Sequence, residues 1–473
     1  MNRFDFLSKV ILTSAGVCIA PKVFSFRGSS DYPIVRRPRS SRNFSSEAIE
    51  KAIFTFKSKV KDQELGWLFE NCFPNTLDTT VFIKSSGASP DTYIITGDID
   101  AMWLRDSTAQ IWPYLPFMKE DVALQNLVAG VIHRQTKCVL KDPYANAFYD
   151  DDSKVSEWKN DITDMKPGLH ERKWEIDSLC YPIRLGYHYW LQTKDTSPFS
   201  TLWKSSIEII LKVFREQQRK TGKGPYHFQR TTSWATDSVP LNGYGYPVKP
   251  NGLICSMFRP SDDATIYPYL IPSNYFAVVS LKQASQMVKA IFGDTALASE
   301  LLATASEVED ALKEFSTTNS PYGKMYAFEI NGMGSINLMD DANVPSLLSL
   351  PYLGAIEAKD EIYLNTRKFL FSDNNPFFFK GKAGEGIGGP HVGVDMIWPL
   401  SIIMRGLTST SDAEIKQCIS ILKHTHGGTG FMHEAFHKDD DKKYTRSWFA
   451  WANTLFGEFL WNVFTTKPHL LMS

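Results

Sequence analysis

Apolar residues recur three to four positions apart along most of the chain, the spacing that lines one face of an α-helix. Segments 47–60, 63–73, 121–137, 178–192, 200–218, 273–292, 295–315, 344–356, 361–371, 394–409 and 411–425 carry it. A Trp-rich stretch, 447–464, adds Trp448, Trp451, Leu455 and Phe459 at the same interval, for about twelve helices in all. Start signals support several of them: Ser273 before Asn274, and Ser411 with Asp412 ahead of Glu414. Strand-like stretches are few and short, 91–98 and 323–331 being the clearest.

Gly, Pro, Trp and acidic residues concentrate between the helices, in 91–106, 141–177, 221–272, 331–343, 373–395 and 424–447. Loops longer than about a dozen residues are usually functional in a compact domain. Helices joined by long loops at alternate junctions predict an all-α fold, an (α/α)6 toroid whose loops form a funnel at one end; the alternative is an irregular helical array. No Pro/Ser/Gly linker divides the chain, so 46–473 is expected to be one domain.

Composition narrows the function classes. The 473 residues are 43% hydrophobic and 22% charged with net charge −1, which excludes a nucleic-acid partner or a basic membrane-binding face. Aromatic residues reach 13%, a surplus that suits stacking on sugar faces. At the N-terminus, Arg3 and Lys9 precede an apolar run from Val10 to Ala20, too short to span a bilayer. Residues 1–26 are therefore expected to be a signal peptide and 27–45 a polar leader, with lipidation of Cys18 as the alternative. The other cysteines, Cys72, Cys138, Cys180, Cys255 and Cys418, are odd in number and lack C-x-x-C spacing, so neither a disulfide framework nor a zinc ribbon is expected. Export to a bacterial periplasm without stable membrane insertion fits this pattern.

Three acidic clusters carry candidate chemistry. "TGDIDAMWLRDS" sets Asp98, Asp100, Trp103, Arg105 and Asp106 within nine positions. One helix cap needs one acid, Asp106 or Ser107; the surplus carboxylates and Arg beside an indole suit a polyol whose apolar face stacks on the ring. "KWEIDSLCYP" adds Trp174, Glu175 and Asp177, where Asp177 alone would pass for an N-cap. In "FRPSDDATIYPYLIPSN", Pro260, Pro268 and Pro272 prevent a continuous helix, placing Arg259, Asp262 and Asp263 on irregular backbone among apolar neighbours. Partial burial there would raise a carboxyl pKa, as a general acid requires. Asp340, Asp341 and Asn343 either bind hydroxyls or cap the next helix. The glycine-rich 381–395 follows no strand and suits close approach of backbone and His391 to a sugar.

"GTGFMHEAF" leads into His433, Glu434 and His437, the letters H-E-x-x-H of a zinc hydrolase. Zinc binding requires both histidines on one helical face. Gly427, Gly428 and Gly430 before the motif and the charge run 438–443 after it predict a loop instead. Glu458, the available third ligand, sits in a helix that looks like packing. A zinc metallopeptidase and a non-catalytic carbohydrate-binding protein stand as the alternatives to a glycosidase.

Taken together, "TGDIDAMWLRDS", "KWEIDSLCYP", "FRPSDDATIYPYLIPSN", "MDDANVPSLLSLPY" and "GTGFMHEAF" resemble, in order, the motifs of glycoside hydrolase family 125, the exo-acting α-1,6-mannosidases. The resemblance runs from about residue 45 to the C-terminus. It implies an (α/α)6 barrel and inverting hydrolysis of an α-mannoside glycan without metal or cofactor. It also implies a general acid at Asp262 or Asp263, with Asp263 placed first, and a general base at Glu434. Asp98, Asp100, Trp103, Arg105, Asp106, Trp174, Asp177, Arg259, Asp341, His391 and His433 are the expected substrate-binding residues. An inverting mechanism needs acid and base on opposite sides of the anomeric carbon with room for water, which two distant loops can supply.

Overall fold

Helices with a single apolar stripe and helices buried on nearly every side take different places in this molecule. The computed structural model describes residues 32–84 and 89–472. The expected signal peptide 1–26, with Cys18, lies outside the described residues. Twelve α-helices of eight residues or more are present among those described: α1 (Glu47–Lys59), α2 (Gln63–Cys72), α3 (Leu104–Ile111), α4 (Val122–Lys141), α5 (Ile176–Thr193), α6 (Thr201–Gln217), α7 (Ile271–Phe292), α8 (Thr295–Phe315), α9 (Glu361–Leu370), α10 (Pro399–Leu407), α11 (Asp412–His424) and α12 (Ala450–Thr466).

Two concentric rings result. Inside, α3 packs on α5, α5 on α7, α10 on α12, and α12 back on α3, closing the circle. The sixth inner position belongs to residues 344–356, where a helix was expected. Pro345 and Pro351 deny that stretch a helical hydrogen-bond ladder, and it forms consecutive turns. Asp340 holds its start, accepting from the amides of Leu347 and Leu348. Tyr181 of α5 donates to Val344 O, and Tyr352 donates to Glu458 of α12, so the segment bridges its neighbours as a helix would. Outside, α2, α4, α6, α8, α9 and α11 cover the inner ring, and α1 packs outside α2. The expected helix 394–409 begins only at Pro399, whose missing N–H suits a first turn; Met396–Ile397 ahead of it is a strand.

Capping divides the rings. Outer helices other than α6 start from capping side chains, as does α1: Ser46, Asp62, Asp121, Asp294, Asp360 and Ser411 each accept a first-turn amide, whereas Ser200 ahead of α6 makes no such bond. Inner helices start from Trp103, Glu175, Leu270, Trp398 and Phe449, all extended and none supplying a side-chain cap. Their first amides go to other loops, Leu104 N to Asn146 O, Ile176 N to Ser256 Oγ and Ile271 N to Phe328 O. Long loops are thereby bound to the N-terminal end of the inner ring. The described part of the polar leader, 32–45, is also tied down: buried Arg36 donates to Asp78 and Glu50, and Trp67 Nε1 to Pro33 O.

The seam between α12 and the N-terminal part rests on a missing side chain. A Cβ on Gly457 would lie 2.7 Å from the Cα of Phe73, which cannot swing aside. Gly457→Ala gains about 1 kcal/mol in helix propensity, but overpacking costs about 1–3 kcal/mol. Net destabilisation is expected, read as a lower urea midpoint at unchanged m-value.

Candidate active site

Arg105 sits in the first turn of α3, buried, and its guanidinium meets four carboxyl groups. Nη1 donates to Glu175 Oε2 at 2.6 Å and to Asp177 Oδ2 at 3.2 Å, Nη2 donates to Asp262 Oδ1 at 3.0 Å, and Nε lies 3.5 Å from Asp106 Oδ2. One cation cannot neutralise four anions, so protons are retained. Burial pushes Asp106 and Asp177 up to about 6. Burial, with Asp262 and Asp177 close by, pushes Glu175 well above the carboxylate range. Neither Asp106 nor Asp177 caps its helix, so the plain capping alternative fails for both.

The acid loop is a tight turn. Asp262 N donates to Arg259 O, Arg259 N donates to Asp263 O, and Asp262 takes φ +66°. A left-handed conformation costs a non-glycine residue about 1 kcal/mol and persists where neighbours over-determine it. Here Lys173 Nζ, buried against Asp237 at 2.7 Å, donates to Asp262 O at 2.9 Å. The turn aims the two aspartates differently. Asp262 keeps 22% of its side chain exposed, while Asp263 keeps 1% and accepts from Thr236 Oγ1 at 2.8 Å. Burial opposes charge on Asp262, but Arg105 and Lys173 outweigh it and hold that carboxyl well below the ordinary range.

Glu434 lies at a bend in non-helical backbone, two residues ahead of a strand. Strand Phe436–His437 pairs with Asp440–Tyr444 and with Met396–Ile397, and Ala435 N donates to Thr445 Oγ1. His433 and His437 therefore do not share a helical face. His433 is fully buried, stacked on Tyr444 with ring centroids 3.9 Å apart, and its Nδ1 meets Arg446 O. It braces the hairpin and does not reach a sugar, which corrects its expected binding role. Glu458, the proposed third ligand, accepts from Trp112 and Tyr352 inside the ring. The zinc reading thus fails on geometry. Arg446 Nε stands 3.5 Å from both Glu434 Oε1 and Asp98 Oδ2.

Several other expected contacts turn out to be supports. Trp174 is core, with Nε1 donating to Cys255 O and the indole edge-on to Tyr144. Trp103 is buried edge-on to His170. Arg259 is neutralised by Glu329 at 2.7 Å. Asp341 accepts from Ser261 Oγ at 2.6 Å and so anchors the acid loop. Asp100 points outward to Lys154. His391 Nδ1 lies 3.6 Å from Asp263 Oδ1, on the glycine-rich loop where a Cβ on Gly388 would strike Met396 O. Brought together at the N-terminal end of the inner ring are Asp98, Arg105, Asp106, Asp177, Asp262 and Glu434. Sequence reasoning had assigned no role to Glu175, Lys173, Thr236 or Arg446. Glu175 and Lys173 stood inside a quoted motif, whereas Arg446 follows the charge run without distinction. Trp448, expected in the C-terminal helix, precedes α12 and remains half-buried across Gly97.

A family model described as metal-independent α-mannosidase, glycoside hydrolase family 125, matches residues 62–461. The chain belongs to this family. It is an α-mannosidase, a glycoside hydrolase. It is 42% identical over 478 residues to the meiotically up-regulated gene 157 protein of Schizosaccharomyces pombe (strain 972 / ATCC 24843), covering 95% of this chain and 94% of that protein. A solved Streptococcus pneumoniae metal-independent α-mannosidase, in a non-productive complex with α-1,6-mannobiose, is 39% identical with TM-score 0.86, over 90% of this chain and all of that one. A bacterial glucoamylase complexed with acarbose, 14% identical, superposes at TM-score 0.53 over 88% of this chain and 59% of its own, a likeness of fold alone.

Prolonged dialysis against EDTA is expected to leave α-mannosidase activity unchanged. Activity lost in chelator and restored by stoichiometric zinc would return His433 and His437 to a ligand role.

Proposed function

We propose that the protein is an exo-acting α-1,6-mannosidase that works with inversion, Asp262 serving as general acid and Glu434 as general base. The observation that carries this reading is a pair of carboxyls, supplied by two distant loops, that face one cation: the Arg446 charge meets Glu434, Asp98, Asp106 and Asp262. The α-1,6 linkage is supported by the disaccharide held in the Streptococcus pneumoniae relative. Asp262 replaces Asp263 as the favoured acid because a proton donor must touch the leaving oxygen, and the Asp263 carboxyl is sealed against Thr236.

In this reading a terminal mannose enters the N-terminal end of the inner ring. Asp262 protonates the departing glycosidic oxygen while Glu434 takes a proton from the water that attacks the opposite face. Asp98 and Asp106 are placed to accept hydrogen bonds from sugar hydroxyls. Arg446, with Nε 3.5 Å from Glu434 Oε1, orients that carboxylate toward the water.

Inversion makes β-mannose the first product, visible by proton NMR before mutarotation; initial α-mannose would remove Glu434 from the general-base role. Asp262→Asn should lower turnover of α-1,6-mannobiose by about 10²–10⁴. Asp263→Asn should cost far less, since its amide oxygen still accepts from Thr236. If the two losses are reversed, Asp263 is the acid.

A further inference from the structure

An acid assigned to Asp262 raises a difficulty, because Arg105 and Lys173 favour its ionised form and a general acid must begin protonated. Its neighbour supplies an answer. Glu175 is fully buried at the start of α5, its Oε2 accepting from Arg105 Nη1 at 2.6 Å and from Ser178 Oγ at 2.7 Å. Its Oε1 is buried with no hydrogen-bond donor among the described residues. Glu175 and Asp262 accept from the two terminal nitrogens, Nη1 and Nη2, of the one Arg105 guanidinium, which brings the two carboxyls side by side. Two ionised carboxylates are both acceptors, so such a contact is favourable only with a proton between them.

We infer that Glu175 is the proton-holding partner of Asp262: the two carboxyls share one proton, and Glu175 delivers it as Asp262 protonates the leaving oxygen. This rests on the assignment of Asp262 as general acid. The shared proton passes from Glu175 to Asp262, and as the anomeric C–O bond breaks Asp262 gives that same proton to the departing alcohol. The attacking water forms the new C–O bond and loses a proton to Glu434. Glu175 is recharged from solvent through Asp262, whose carboxyl reaches water, and Glu434 releases its proton, so the cycle consumes one water. Glu175 touches no sugar; it is a positioning and charging residue.

The groups facing this pair are accounted for. From α3 come Arg105 and Asp106, and from α5 Asp177 and Ser178. The preceding segment brings His170, Glu171 and Lys173, Tyr226 faces Glu175, the glycine-rich loop adds His391, and the base hairpin adds Arg446. Asp263 follows in the chain but is engaged by Thr236. Arg105 contacts both members of the pair, so its charge alone does not decide which carries the proton. Lys173 donates to the Asp262 carbonyl and adds its charge on that side, which leaves the proton on Glu175 in the resting enzyme.

Glu175→Gln in the full-length protein tests this with two substrates. Hydrolysis of α-1,6-mannobiose should fall about 10²-fold or more with little change in KM, and the alkaline limb of its pH–rate profile should move to lower pH. α-Mannosyl fluoride, whose leaving group needs no proton, should still be turned over. An unmoved alkaline limb, or equal loss on both substrates, would overturn the inference. Ser178→Ala gives an independent reading if the glutamine variant does not fold. Removing a donor from Glu175 should move the alkaline limb to higher pH, and no movement counts against the inference. Asp262→Asn separates the two levels: full mannobiose activity in that variant rejects Asp262 as the acid, whereas a defective Asp262→Asn beside an unaffected Glu175→Gln rejects only the proton partner.

Discussion

The Arg105 guanidinium is buried where three separate parts of the chain meet, and each of them brings it a carboxyl group. Glu175 and Asp177 open α5, Asp262 turns at the tip of the acid loop, and Asp106 is its own neighbour on α3. Removing one partner of a buried ion pair typically costs about 3–5 kcal/mol, because the remaining charge is left uncompensated. Here the imbalance already exists in the intact protein, with more carboxyls than cations. That excess keeps protons inside the site and positions the acid loop by attraction. Lys173, holding the Asp262 carbonyl, and Asp341, holding Ser261, complete a frame that fixes the turn without contacting a sugar.

The double ring explains why acidic residues gather at one end. Inner helices all present their N-termini there, and a helix N-terminus carries partial positive charge. All outer helices but α6 satisfy theirs with Ser and Asp caps. The inner ones begin at aromatic, aliphatic or catalytic-site residues and are completed by loops from elsewhere, as when Asn146 serves Leu104 while its side chain reaches Glu171 and Asp262. Capping and site building are thus performed by the same loops, so a change in one of them alters helix ends and carboxylate placement together.

Much of this was legible in the sequence. Apolar spacing located most helices, and the loops rich in acids and Trp did build the site. What spacing could not report was the direction of each side chain. Trp174, Arg259 and His433 have the chemistry of sugar contacts, yet each is consumed by a partner: Cys255 O, Glu329 and Tyr444. The choice between Asp262 and Asp263 depended on a left-handed φ that adjacent letters do not encode. Segment 344–356 had helical periodicity because it occupies a helix's place in the ring and buries the same stripe, although its prolines forbid the ladder. Arg446 had no local signal, since its importance comes from a hairpin that folds it back onto Glu434.

Ring closure by α12 sets the order in which activity can arise during synthesis. Contacts such as Trp112 with Glu458 and Asn75 with Asn453 join residues 346 and 378 positions apart. At translation rates of about 5–20 residues per second, the segment bearing Asp262 emerges about 10–30 s before the one bearing Glu434. An emerging chain therefore carries the proposed acid, Asp262, while the proposed base, Glu434, is still unmade. So late a docking of α12 also leaves the buried helix α3 without that neighbour for most of the time the chain is being made.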